Sequence, residues 1–274
     1  MDAPSIIAVL GSGETSPSGR KAHDYLMSRL QTPVRTVILE TPAGFQPNVD
    51  YVARKVADFV EHSLQNYKPE IEIIAARKKG SEYDPDDPAI VDAILGASYI
   101  FAGAGSPTYF ARHLKNTRAE AHIRQRLREG AVLTLASAAA IAGGGHAIPV
   151  YEMFKVGDDP YWAEGLDIFS EFGLDLVIVP HWNNKEGGEH LDTSRCYIGL
   201  DRFEYLRNLL PASAVIVGVD ENTACIFEFS ADEVRVIGKG SVTILHGDDV
   251  RVYNDKETFS VSSLRTAQPA TSQG

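Results

Sequence analysis

The sequence of 274 residues predicts an α/β fold: a parallel sheet with helices on both faces, followed by an antiparallel β extension. Three observations carry this. Short Val, Ile and Leu runs are continuous rather than alternating, as in strands buried on both faces: "SIIAVLG" (5–11), "VRTVILET" (34–41), "IEIIAA" (71–76), "SYIFAGA" (98–104), "AVLTLA" (131–136) and "DLVIVP" (175–180). Between them lie segments of helical period, among them "NVDYVARKVADFVEHSL" (48–64) and "AEAHIRQRLREG" (119–130), the latter stopped by Gly130. Beyond about residue 212, "AVIVGVD", "ACIFEF", "EVRVIGKG", "SVTILHG" and "DVRVYN" follow one another with only turn residues between, the pattern of antiparallel strands.

There is no internal repeat and no Pro/Gly-rich linker, so residues 1–265 are expected to form a single domain. The polar end "TAQPATSQG" (266–274) reads as a disordered tail. A formal net charge of −11 argues against a nucleic-acid or anionic-membrane partner, because phosphate binding needs a basic surface. No apolar run approaches the ~20 residues of a membrane helix. The opening "MDAPSIIAVLGSG" has no basic leader and runs straight into the first strand, which points to a cytoplasmic protein without a signal peptide. Two cysteines, Cys196 and Cys225, are too few for a disulfide framework and read as buried small residues.

Ligands of open parallel sheets bind at the carboxyl ends of the strands, which selects the loops "GSGETSPSG", "ETPAGFQPN", "AGAGSPTYF", "ASAAA" and "PHWNNKEGGEHLDTSR". In "TLASAAAIAGGGH" (134–146), Ser137 stands between a strand and a helix of small residues. It reads either as a nucleophile on a sharp turn or as a helix cap. The usual elbow is Gly-x-Ser-x-Gly; here Leu135 and Ala139 take the glycine places. A serine needs a base. His181 directly follows a strand, His190 lies further along the same loop, and His146 trails the elbow helix and reads as structural. Asp220 or Glu221, in "VGVDENTA" (217–224), would orient the base, unless that stretch is merely a solvated turn. Backbone N–H groups of Ala138, and of Ala104 or Gly105 in "IFAGAGSPTYF" (100–110), are candidate oxyanion donors. The aromatic-rich "YEMFKVGDDPYW" (151–162) lines either a pocket or a subunit contact.

Taken in order, these stretches resemble the serine peptidases that include cyanophycinase and the α-aspartyl dipeptidases. The matching segments are "GSGE" (11–14), "FAGAG" (101–105), "LASAAA" (135–140), "HW" (181–182) with Arg195 and Arg202, "GVDENTA" (218–224) and "VIGKGSVTIL" (236–245). They span roughly residues 5–246, and the last two are the strongest. The resemblance implies a flavodoxin-like sheet similar to the class I glutamine amidotransferase domain. It also implies a Ser–His–Glu triad of Ser137, His181 and Glu221 that needs no cofactor. Arg195 would clamp a substrate carboxylate, Glu14 would lie beside the pocket, and Asn183 and His190 would be further substrate contacts. The implied partner is a small, carboxylate-bearing peptide or amide, and a homodimer is the assembly considered. The missing elbow glycines, Ala104 in place of a glycine and the long "NNKEGGEHLDTS" loop mark a divergent branch.

Other readings compete. His181, Glu186, His190 and Asp192 fall within twelve residues and suit a metal, although not at the spacing of a helical motif. A noncatalytic binding protein on the same fold would make Ser137 dispensable. A dinucleotide site fails for want of G-x-G-x-x-G, and an amidotransferase would need a cysteine where Ser137 stands.

Overall fold

The computed structural model describes residues 5–265. The stretch 266–274, expected as a tail, lies outside the described residues. The strands in chain order are β1 (Ile6–Leu10), β2 (Arg35–Leu39), β3 (Glu70–Ile74), β4 (Tyr99–Ala102) and β5 (Val132–Ala136), then the two-residue pair β6 (His146–Ala147) and β7 (Ala163–Glu164). They continue with β8 (Leu176–Val179), β9 (Val215–Val219), β10 (Thr223–Glu228), β11 (Glu233–Gly238), β12 (Ser241–His246), β13 (Asp249–Asn254) and β14 (Thr258–Phe259). The α-helices are α1 (Pro17–Met27), α2 (Val49–Ser63), α3 (Pro88–Val91), α4 (Pro107–Leu114), α5 (Arg118–Arg128), α6 (Ala138–Gly143) and α7 (Leu200–Arg207).

Eight strands form the main sheet in the order β14-β11-β10-β1-β5-β4-β2-β3. Strands β1 to β5 run parallel, and β10, β11 and β14 continue the sheet antiparallel from β1. A second sheet has the order β13-β12-β9-β8, with β8 and β9 parallel and the rest antiparallel. This departs from the sequence reading in one respect. "DLVIVP" was expected to be a sixth strand of the parallel sheet, yet it forms β8 of the second sheet. The reason is topological: β1 is already paired on both edges, by β5 and by β10, so no edge beside it remains for β8. The C-terminal strands therefore divide between the two sheets.

Burial follows the alternation of β1. Ile7 and Val9 face one hydrophobic cluster, and Ile6, Ala8 and Leu10 face another. The second cluster is closed by α1 and α2 through Ala22, Leu26, Val56 and Val60. The first is covered by α4, α5 and α6 and also takes in Leu176, Ile178 and Val217 of the second sheet, so a continuous core joins the two sheets. A third cluster, on the far side of the second sheet, packs Val177 and Ile216 against Trp182, Phe203 and Met153. Helix starts are capped as their sequences allow: Ser106 accepts from Tyr109 N–H ahead of Pro107, and Thr117 accepts from Glu120 N–H. No described helix is long and apolar enough to cross a membrane.

The two sheets meet at the carboxyl end of β1. Gly11 N–H donates to Thr223 C=O (2.9 Å) and Gly11 C=O accepts from His181 N–H (3.2 Å). A Cβ at Gly11 would sit 2.1 Å from the carbonyl oxygen of Asp220, so only glycine fits this junction. Gly11→Ala is expected to lower the unfolding free energy by about 3 kcal/mol or more, because the clash is with backbone that cannot rotate away. Urea unfolding of the two proteins checks this, and a loss under about 1 kcal/mol would show that the junction yields.

Candidate active site

β5 ends at Ala136, and Ser137 turns the chain into α6 with φ 51° and ψ −115°. That left-handed conformation is costly for a non-glycine residue and persists only where neighbours hold it. Here Ser137 N–H donates to Leu10 C=O (3.1 Å) and Ala139 N–H to Gly103 C=O (3.3 Å). The bulk of Leu135 does not block the turn. Its side chain is buried in the core on the face covered by α6, and Gly143 makes the room: a Cβ there would lie 2.6 Å from Leu135 Cδ1. The small residues "AAAIAGGG" thus accommodate on the helix side what the missing glycine would have left open on the strand side.

The Ser137 hydroxyl lies 3.0 Å from His181 Nε2, and His181 Nδ1 lies 2.8 Å from Glu221 Oε1. His181 is itself left-handed (φ 49°). Burial disfavours ionisation of Glu221, but hydrogen bonds from His181 and Asn184 and the nearby imidazole outweigh it and hold the carboxyl below its ordinary value. An ionised carboxylate only accepts, so Nδ1 carries the imidazole proton and Nε2 is left to accept from Ser137. Asp220, the other candidate for this position, is occupied elsewhere and accepts from Ser241 N–H (2.8 Å) and Ser241 Oγ–H (2.9 Å).

Ser137 and His181 open onto a cavity of about 520 Å³. Gly105 and Ala138 line it too, and Ala138 is the first residue of α6, whose N–H has no partner within the helix. Ala104 does not line it. It faces a separate hollow of about 230 Å³ that it shares with Glu14. Glu14 lines that hollow and not the cavity at Ser137, and its backbone carbonyl faces the buried His23 ring (3.0 Å).

The remaining expected contacts are also placed elsewhere. Arg195 was expected at the cavity as a carboxylate clamp, but it is not among the lining residues. Arg195, Cys196 and Tyr197 are consecutively left-handed, with φ of 57°, 61° and 69°. This turn lays the guanidinium 3.8 Å over the Trp182 ring while Nη1 donates to Trp182 C=O (3.0 Å). Asn183 Oδ1 accepts from the Glu221 backbone N–H (2.9 Å), and Asn183 is not among the cavity-lining residues. His190 is exposed outside the cavity lining, Arg202 is exposed on α7, and His146 sits edge-on to Trp162. Asp192 is tied to Ser194 N–H and Leu200 N–H. Among the described residues, no group of three His, Cys, Asp or Glu side chains is arranged to hold a metal, so His181, Glu186, His190 and Asp192 do not converge.

The structure adds residues that the sequence reading passed over. Asn184, buried beside Asn183, donates to Glu221 Oε1 (2.8 Å); the doubled Asn after "HW" was the available signal. Tyr197 lies against His181 with ring centroids 5.4 Å apart. The aromatic-rich stretch left open as pocket or subunit contact contributes Tyr151, Phe154 and Lys155 to the cavity. Cys196 also lines it, but burial pushes its thiol up to about 12, so it is no nucleophile at neutral pH.

The fold is shared with solved peptidases. A peptidase from an acI-B1 Actinobacterium superposes with a TM-score of 0.74 at 22% identity, covering 94% of this chain and 98% of its own. A protein assigned as a Peptidase E from Listeria monocytogenes EGD-e superposes with a TM-score of 0.54 at 15% identity, covering 92% and 98%. No family model matches the chain, and no curated protein matches its sequence. At these identities the likeness establishes the architecture, a mostly parallel sheet flanked by helices with antiparallel strands at its C-terminal side.

The lowered Glu221 carboxyl has a consequence for stability. A group whose acidity is strengthened by folding contributes in full above its ordinary value, here 4.5, and loses that contribution as the pH falls through the lowered one. Below that ordinary value, the thermal midpoint of Glu221→Gln is expected to decline less steeply than that of the wild type. Parallel declines in a melting series from neutral to acid would contradict an ionised Glu221.

Proposed function

We propose that this protein is a serine-type amide or peptide hydrolase. The observation that carries the reading is the unbroken hydrogen-bond chain from Ser137 through His181 to Glu221, opening on a cavity. In this reading Ser137 Oγ attacks the carbonyl carbon as His181 Nε2 takes its proton. The carbonyl oxygen becomes an oxyanion and meets the N–H groups of Ala138 and Gly105. His181 then returns the proton to the departing amine, and water, activated by the same imidazole, releases the acid and restores Ser137. Glu221 holds the imidazole in the required tautomer and balances its transient charge, with Asn184 donating to its carboxylate and Asn183 Oδ1 accepting from its backbone N–H. The peptidase fold of the two solved structures supports this reading. So does the strained backbone at Ser137, a kind of strain that clusters at functional sites. Arg195, half-buried against Trp182 and outside the cavity lining, gives no support to a carboxylate clamp at that residue.

Incubation with a small fluorophosphonate, followed by intact-mass measurement, is expected to give one adduct on the wild type and none on Ser137→Ala. The same substitution is expected to abolish turnover with the melting temperature little changed. Glu221→Gln is expected to lower kcat at least about a hundredfold by releasing the imidazole tautomer. Full turnover by Ser137→Ala would end the covalent reading.

A further inference from the structure

The cavity wall beyond the triad has an order to it. From His181 the aromatic surface passes to Tyr197 at 5.4 Å and from Tyr197 to Phe154 at 5.9 Å between ring centroids. Over Phe154, 4.7 Å from its centroid, lies Lys155 Nζ. Lys155 is exposed, is in no salt bridge among the described residues, and is the one cation on the cavity wall. The one carboxylate there, Glu186, is engaged by the Tyr197 hydroxyl at 3.3 Å. Ile141, Val150 and Leu191 make most of the remaining wall apolar, with Thr193 and Tyr151 as its other polar-bearing side chains away from Ser137 and His181. A chain of apolar surface ending in a single available ammonium is complementary to an apolar body carrying one carboxylate. It is a poor match for a substrate whose side chains are themselves acidic, since most of the wall would strip their water without replacing it.

Resting on the hydrolase reading above, we propose that the cavity selects short peptides with an aromatic or large aliphatic residue that bears a free α-carboxylate. The apolar side chain lies on Tyr197 and Phe154, and the carboxylate pairs with Lys155. Phe154 and Lys155 then determine specificity, in place of Arg195, which lies outside the cavity lining.

The test separates binding from cleavage by using Ser137→Ala, which cannot turn peptide over. Titration calorimetry would compare Ala-Phe, its C-terminal amide, Ala-Ala and Ala-Asp. Ala-Phe is expected to bind about tenfold or more tighter than Ala-Ala, from burial of the ring, and about fivefold tighter than its amide, from the ion pair. Adding Lys155→Met should close the gap between acid and amide while leaving Phe preferred to Ala. Adding Phe154→Leu should narrow the gap between Phe and Ala while leaving the acid preferred. Equal affinity for acid and amide, or tighter binding of Ala-Asp than of Ala-Phe, would overturn the assignment. Fluorophosphonate labelling of the wild type is read alongside. Selective peptide binding without labelling would leave the specificity standing and remove the hydrolase, whereas labelling with the wrong selectivity would do the reverse.

Discussion

Two consecutive carbonyls at the carboxyl end of β1 hold the backbones of the two residues that face each other at the site. Leu10 C=O accepts from Ser137 N–H, and Gly11 C=O accepts from His181 N–H. The third residue is referenced to the same place, because Ser12 Oγ accepts from Asn222 N–H and Gly11 N–H donates to Thr223 C=O, the two residues that follow Glu221. Ser137 comes from the main sheet, His181 from the end of a strand in the second sheet, and Glu221 from the crossing between them. Their distances therefore depend on how the sheets dock, and the docking depends on a junction too tight for any side chain at residue 11. Placing reactive groups on rigid strand ends rather than on free loops is how a fold keeps such distances short.

The local conformations follow from that junction. Left-handed backbone at Ser137 and His181, and along residues 195–197, is uphill for each residue taken alone. It is sustained by hydrogen bonds to neighbours that are themselves fixed: Arg195 N–H to Trp182 C=O and Cys196 N–H to His181 C=O. The loop that delivers His181 is in this way stapled to the turn that supplies Tyr197, so base and cavity wall are set together.

Much of the architecture was legible from the chain because continuous apolar runs and helical periods are local signals. The five parallel strands, α2 and α5 lie close to where the residues indicated. Which edge a strand joins is not local, and "DLVIVP" has the same composition whether it pairs with β1 or with β9; only the occupancy of both β1 edges decides. At the site, Ser137, His181 and the pair Asp220 and Glu221 stood out because each lies within two residues of a strand end, whereas the choice of Glu221 came with the family resemblance. Arg195 could not be placed, because nothing in "DTSRCYIG" announces three left-handed residues without a glycine among them. Asn183 was singled out as a substrate contact, and its amide oxygen accepts from the Glu221 backbone N–H; an amide that braces a turn and one that contacts substrate look alike in sequence. Leu135 seemed to obstruct the elbow, and the answer lay eight residues on at Gly143, across a helix–strand contact that no spacing rule encodes.

The cavity wall that carries Tyr151, Phe154 and Lys155 belongs to neither sheet. It is a one-turn π-helix between the short strands β6 and β7, projecting from the frame that holds Ser137, His181 and Glu221. Drift in this segment can change what enters the cavity without moving the reacting groups. The shape of the cavity and the geometry of Ser137, His181 and Glu221 are thus separable, and exchanging this short stretch is a direct route to altering one while keeping the other.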